Sequence, residues 1–168
     1  MSFKLIDVVP KRDYQDEKYV QEIVDWGSKY ADFEYQIANY YRYNKDVMKF
    51  IVAEEELTAY GVSQVVAFAY VSVQINKQTN KLRCQVTRID VNPNCKQHKI
   101  ERKFIDELMK NTENILGDEM PEEFAFLFEK EDKVLTEILR EKQFKIKDLV
   151  DVLYAEKYLQ PQLEKGDN

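Results

Sequence analysis

The stretch "RIDVNPNCKQHKIERKFIDELM", Arg88 to Met109, decides how the chain reads. "RIDV" closes a β-rich segment and "NPNCKQH" is a short polar loop. Ile100, Phe104, Leu108 and Met109 then recur at helical spacing. A strand that passes through a short loop into a helix leaves free backbone N–H groups at the helix start, and these attract anions such as phosphate. The loop contains no glycine. At this level it is either a phosphate cradle with its glycines substituted or a plain strand-to-helix turn.

Upstream of the loop, "KFIVAEEE", "SQVVAFAYVSVQI" and "LRCQVTRIDV" are rich in β-branched and aromatic residues, and "LTAYGV" and "NKQTNK" read as turns between them. This pattern predicts an antiparallel meander, with the acidic run Glu54–Glu56 as a solvated hairpin end. Further back, "FKLIDVV" (Phe3–Val9) alternates as a first strand stopped by Pro10. From Asp16, Tyr19/Val20, Ile23/Val24, Trp26 and Tyr30 keep helical spacing, and a second helix is predicted in "DFEYQIANYYRYNKDV".

Downstream, the helical stripe is predicted to continue through Thr112 and Ile115/Leu116 until Gly117 ends it. "EEFAFLFEK" reads as a buried strand. "EDKVLTEILREKQF" reads as a helix with Val134, Leu135, Ile138 and Leu139 inward, and "KIKDLVDVLYAEKYL" as one or two strands. The predicted order is β-α-α-β-β-β-α-β-α-β. It describes an α/β (α+β) domain over residues 1–160, with about four helices flanking a mixed, mostly antiparallel sheet, followed by a polar tail, 161–168.

Composition narrows the function classes. The chain has 168 residues, 44% apolar and 33% charged, as a soluble globular domain does. Its net charge of −6 argues against a generic nucleic-acid surface. No apolar run is long enough for a signal peptide or a membrane span, so a cytoplasmic protein with no membrane partner is expected. Cys84 and Cys95 read as free thiols, with Cys95 a bystander in its loop, and the lone His98 does not suggest a zinc site.

Three stretches together resemble the GNAT superfamily of acyl-CoA-dependent N-acyltransferases. "MKFIVAEEELTAYGVSQVVAFAYVSV" resembles that family's second and third strands, with Ala67 where a glycine is usual. "RIDVNPNCKQHKIERKFIDELM" resembles its fourth strand, acetyl-CoA loop and following helix without a gap. Val91, Pro93, Ile100 and the pair Phe104/Ile105 match, and Lys96 takes the place of an Arg or Gln. "FLFEKEDKVLTEILREKQF" resembles the later strand and helix, with Phe144 as the final aromatic. The departures lie at the chemical positions. The loop glycines are Lys99 and Glu101, the tyrosine that often acts as general acid is Leu139, the following glycine is Gln143, and the frequent asparagine is Asp132.

The resemblance implies transfer of an acetyl or other acyl group from acyl-CoA to a small-molecule or protein amine. Backbone groups of Ile89 and Val91 would pair with the pantetheine. The pyrophosphate would rest on the segment Lys96, Gln97, His98, Lys99, Ile100, Glu101 and Arg102, and Asp132 would take the asparagine's place at the cofactor. A carboxylate at Glu101 favours a helix start but would oppose a bound anion unless it turned away. Asp90 is the candidate base, alternatively one half of an Arg88–Asp90 pair on the same strand face. Tyr35, Tyr40, Tyr41 and Tyr43 are either helix packing or the lining of an acceptor cleft. The alternative function is a GNAT-fold binding or regulatory protein without catalysis, and a homodimer fits either.

Overall fold

Among the described residues the alternation of apolar and polar residues produces seven strands, and the 3.6-residue stripes produce three helices. The computed structural model describes residues 3–8, 14–27, 30, 33, 48–57, 61–95, 97–111, 121–149 and 152–158. Their order is β1 (Phe3–Val8), α1 (Tyr14–Val24), β2 (Met48–Leu57), β3 (Val62–Asn76), β4 (Lys81–Val91), α2 (Gln97–Lys110), β5 (Glu123–Glu129), α3 (Lys133–Glu141), β6 (Lys145–Asp148) and β7 (Val152–Tyr158). The predicted second helix lies outside the described residues except for Phe33, and so do Tyr35, Tyr40, Tyr41, Tyr43 and the tail 161–168.

The strands form one sheet in the order β1-β2-β3-β4-β5-β7-β6. β1 pairs antiparallel with β2, from Phe3↔Glu55 to Val8↔Phe50. β2, β3 and β4 are hydrogen-bonded neighbours joined only by residues 58–61 and 77–80, links too short for anything but antiparallel hairpins. The meander is therefore present, and the fold is the mixed, mostly antiparallel α/β sheet expected. Between β4 and β5 the pairing is parallel, as a crossover through α2 requires. β5–β7 and β6–β7 are antiparallel, so the closing segment is two strands.

Two details differ from expectation. α2 stops at Lys110, with Asn111 in a bend, and residues 112–117 lie outside the described part. The run Glu54–Glu56 lies at the end of β2, and only Glu56 is exposed as a solvated hairpin end would be. Alternation sends Glu54 to one face, where its Oε2 lies 4.0 Å from the Lys18 ammonium, too far for a hydrogen bond, and leaves Glu55 buried on the other face. Three consecutive acids look solvated in sequence because strand position, not composition, decides which one meets water.

The described chain forms two compact units, Met1–Tyr70 with Ile89–Leu108, and Val71–Arg88 with Met109–Asn168. The first is centred on aromatic packing. Phe33 lies 4.8 Å from Phe68 and 5.6 Å from Phe50, and its ring is near parallel to that of Tyr70. Ile23 of α1 and Val65 of β3 join the same buried cluster. Aromatic pairs of this kind contribute about 0.5–1.5 kcal/mol each beyond area burial.

In the second unit Phe124, Phe126 and Phe128 of β5 are buried, together with Leu135, Ile138 and Leu139 of α3. Asp132 caps α3, its Oδ1 accepting the Leu135 N–H at 3.0 Å. After the helix, Gln143 adopts φ 67°, the left-handed conformation that glycine takes without strain. Phe144 then turns back edge-on to Phe126 at 5.5 Å.

Glu123 anchors the start of the parallel ladder. It is 2% exposed and faces Arg83, its register partner, whose Nε and Nη2 donate to Oε2 at 2.9 and 2.8 Å. Thr79 and Asn76, from the β3–β4 hairpin, donate to the same carboxylate. Arg83 also lies 3.8 Å from Glu156 of β7, which pairs with Lys147 of β6 at 3.1 Å. Glu123→Ala would leave three donors facing a dry site and is expected to cost about 2–4 kcal/mol, read by urea unfolding. Gln143→Gly removes the left-handed strain against a smaller entropy loss, and is expected to raise stability by about 0.5–1 kcal/mol in the same measurement.

Candidate active site

The segment that opens the sequence reading is built from the end of β4, a loop, and the start of α2, and Ile89–Leu108 belongs wholly to the first unit. The parallel register with β5 runs from Arg83↔Glu123 to Val86↔Phe126, while β4 itself continues to Val91. Ile89 and Asp90 are half-buried and Val91 is buried. Arg88 and Asp90 stand two residues apart on β4, both half-buried, and so share a face.

Asn92 holds the loop. Its N–H donates to the Val66 carbonyl at 2.8 Å and its Nδ2 donates to the Val65 carbonyl at 3.1 Å, both on β3. Its Oδ1 accepts the Asn94 N–H at 2.9 Å, and its carbonyl accepts the Cys95 N–H at 2.9 Å. The chain thus reverses through an Asx turn followed by a backbone turn. The described positive-φ residues are Gly27, Gly61, Asn80 and Gln143, and none lies in this loop. A buried asparagine side chain thus closes the turn without a glycine, and the described loop residues 92–95 stay out of the left-handed region.

α2 begins at Gln97, so the N–H groups of residues 97–99 have no partner within the helix. Lys99 is exposed, Ile100 is buried and Arg102 is half-buried. Lys96 lies outside the described residues, as do the side chains of Gln97 and His98. Glu101 departs from the expectation of an acid at the helix start. The first turn of α2 contains no acidic residue, and Glu101 is buried in the second turn. Ile100, Phe104, Ile105 and Leu108 define the buried side of α2, and Glu101 shares that burial.

The structure therefore brings Ile89, Asp90, Val91, Lys99, Ile100, Glu101 and Arg102 together in one strand-loop-helix unit. Asp132 belongs to the second unit, where its carboxylate is engaged in capping α3. Leu139, at the position of the family's tyrosine, is fully buried in that unit's core.

Sequence reasoning missed three residues. Asn92 carried a usable signal, since Asn-Pro-Asn directly after a strand marks a turn. Glu22 of α1, whose Oε2 accepts the Val65 N–H at 2.9 Å, carried none. Glu55 carried none either, although its carboxylate raises the pKa of Cys95, second to the effect of burial.

Among solved structures the chain is similar to the N-acetyltransferase PseH of Campylobacter jejuni, with TM-score 0.65, 18% identity, and coverage of 94% of this chain and 99% of that one. The same enzyme in complex with acetyl coenzyme A matches at TM-score 0.65 and 15% identity, over 95% of this chain and 100% of that one. A GNAT superfamily phosphinothricin acetyltransferase from Sinorhizobium meliloti, in complex with AcCoA, matches at TM-score 0.64 and 13% identity, covering 95% of this chain and 89% of that one. A chain of the NatC complex bound to Gag peptide and CoA matches at TM-score 0.62 and 11% identity, over 95% and 100%. By sequence, no family model and no curated protein matches. The chain has the GNAT fold, as the three sequence stretches imply. No helix among the described residues is long and apolar enough to cross a membrane.

The two thiols report on the site from inside. Burial pushes the Cys84 thiol up to about 12, and burial followed by the Glu55 carboxylate raises Cys95. Both shifts favour the neutral thiol over the reactive thiolate. At pH 8 an aromatic disulfide reagent is expected to titrate Cys95 alone, more slowly than a cysteine in the unfolded chain, and to reach Cys84 only in denaturant. Glu55→Gln is expected to accelerate Cys95 by about two- to fivefold, because it removes the opposing charge.

Proposed function

We propose that the chain is an N-acyltransferase that moves an acyl group, acetyl first among them, from a CoA thioester to the amine of a small molecule or protein. The observation that carries this reading is the loop pinned by Asn92. It delivers the end of β4 into the first turn of α2 with the amides of residues 97–99 free of helical partners. The whole-length likeness in fold to N-acetyltransferases supports it.

In this reading the backbone of Ile89 and Val91 pairs with the amides of the pantetheine arm, and the α2 amides receive the pyrophosphate. The exposed Lys99 ammonium, with the half-buried Arg102, adds positive charge at this end of the helix, and Lys96, outside the described residues, precedes them in sequence. Gln97 and His98 contribute their backbone N–H groups, and Ile100 fixes the helix start by its burial. Glu101, beyond the first turn and buried, does not set its charge against the anion. Asp132 is left out of the cofactor set because its carboxylate holds α3.

The chemistry requires that the amine lose a proton, attack the thioester carbon, and expel the CoA thiolate. Positioning supplies most of the acceleration. Asp90, half-buried on β4, takes the ammonium proton directly or through water. No tyrosine protonates the leaving group, since Leu139 holds its place. A thiol of pKa about 8.5 leaves tolerably as thiolate near neutral pH.

A second reading, a GNAT-fold binding or regulatory protein without turnover, is favoured by one observation. Leu139 is fully buried and carries no proton to give. Two measurements separate the readings. Acetyl-CoA at a hundredfold excess over Kd is expected to stabilise the protein by about 2.7 kcal/mol, a rise in Tm of roughly 5–10 °C. Release of free CoA thiol across a panel of amines is expected if the chain turns over, with Asp90→Asn lowering kcat by about 10²–10⁴-fold. A thermal shift without thiol release would favour a binding protein, and no shift at millimolar acetyl-CoA would sink the acyltransferase reading and leave a binding or regulatory protein for another ligand or partner.

A further inference from the structure

The hydrogen bonds around Asn92 continue beyond the loop. Val65, Phe68 and Tyr70 of β3 share one buried cluster with Ile23 of α1. A strand of period two sends Val65 and Phe68 to opposite faces, so β3 breaks its alternation between them. The hydrogen bonds locate the same break. In a regular strand successive carbonyls point to opposite edges, yet the carbonyls of Val65 and Val66 both accept from Asn92.

The break takes the Val65 N–H out of the ladder, in a residue with no solvent exposure. Left without an acceptor, that buried donor would pull β3 back toward a regular register. Glu22 of α1 prevents this by accepting the N–H through Oε2 at 2.9 Å, a charge-assisted bond. The result is a continuous chain of hydrogen bonds from Glu22 through Val65 to Asn92, and from Asn92 to the N–H groups of Asn94 and Cys95. Every member lies in the first compact unit.

We propose that Glu22 is a positioning residue for the loop and the first turn of α2. By holding Val65 out of register it keeps two successive carbonyls turned toward Asn92, and through Asn92 it sets the amides that receive the pyrophosphate. The ligand named here rests on the acyl-CoA reading above, while the coupling of Glu22 to the loop does not. Acetyl-CoA affinity is thus controlled in part from α1, by a side chain that never meets the cofactor.

Cys95 gives a readout that needs no ligand, because its N–H is the last bond of the chain. In the ligand-free protein, Glu22→Ala is expected to raise the rate of Cys95 reaction with an aromatic disulfide about tenfold, with Cys84 still protected. The same variant is expected to weaken acetyl-CoA binding about tenfold by calorimetry. Glu22→Gln keeps an acceptor oxygen and is expected to stay within about twofold of wild type in both measurements. Asn92→Ala should reproduce the Glu22→Ala effects, and the double variant should be no worse than the more severe single one, since both act on one network. Should Glu22→Ala fail to fold, Glu22→Asp, of the same charge but shorter by one methylene, is expected to show about a threefold effect.

An unchanged Cys95 rate in whichever of these two variants folds, or full additivity with Asn92→Ala, would overturn the proposal. Accelerated Cys95 in a protein whose wild type does not bind acetyl-CoA would support the coupling and overturn the acyl-CoA reading instead.

Discussion

A β-strand turns successive carbonyls toward opposite neighbours, and much of this protein follows from the one place where β3 does otherwise. At Val65 and Val66 both carbonyls are taken by a single residue, Asn92, one through its backbone N–H and one through its side chain. That double attachment ends β4, starts the loop, and fixes where α2 begins. The local irregularity is stable because its by-product, a buried N–H, has a carboxylate waiting on α1.

The same constraint explains the composition of the loop. Phosphate-binding loops often use glycine because a residue without Cβ adopts left-handed turns and allows close approach. Here the Oδ1 of Asn92 supplies the turn, and positions 99 and 101 lie in the right-handed helix α2, where lysine and glutamate are sterically acceptable. Their chemistry then separates by burial. Lys99 remains in water at the first turn, while Glu101 enters the buried side one turn later.

The second unit solves a different problem, how to begin a parallel ladder beside a hairpin. A carboxylate buried at Glu123 collects donors from the hairpin and from its own register partner, Arg83. This is charge used as a structural clamp. The left-handed Gln143 and the cap at Asp132 are also structural solutions, at positions where the resemblance to GNAT enzymes suggested functional residues.

How much was legible follows from what each signal encodes. Period-two alternation and β-branched runs specify strands locally, so the meander of β2, β3 and β4 could be read from the sequence. The 3.6-residue stripe of Ile100, Phe104 and Leu108 likewise gave α2. α2 itself ends at Lys110 with a bend at Asn111, and the predicted continuation through Thr112, Ile115 and Leu116 falls outside the described residues. The run Glu54–Glu56 was misread in part. Composition reports preference for water, but only the register of β2 against β1 and the packing of α1 decide which carboxylate is buried.

Element order, the strand-loop-helix unit and its Val, Pro and Ile landmarks were determined by the sequence alone, since each depends on neighbours a few residues away. The pairing of Glu22 with Val65 across 43 positions was decided only by the tertiary structure. So was the turn of two carbonyls toward Asn92. Both depend on a strand leaving its regular period, and no local pattern encodes that departure, because it is stabilised by a partner that arrives only when the chain has folded.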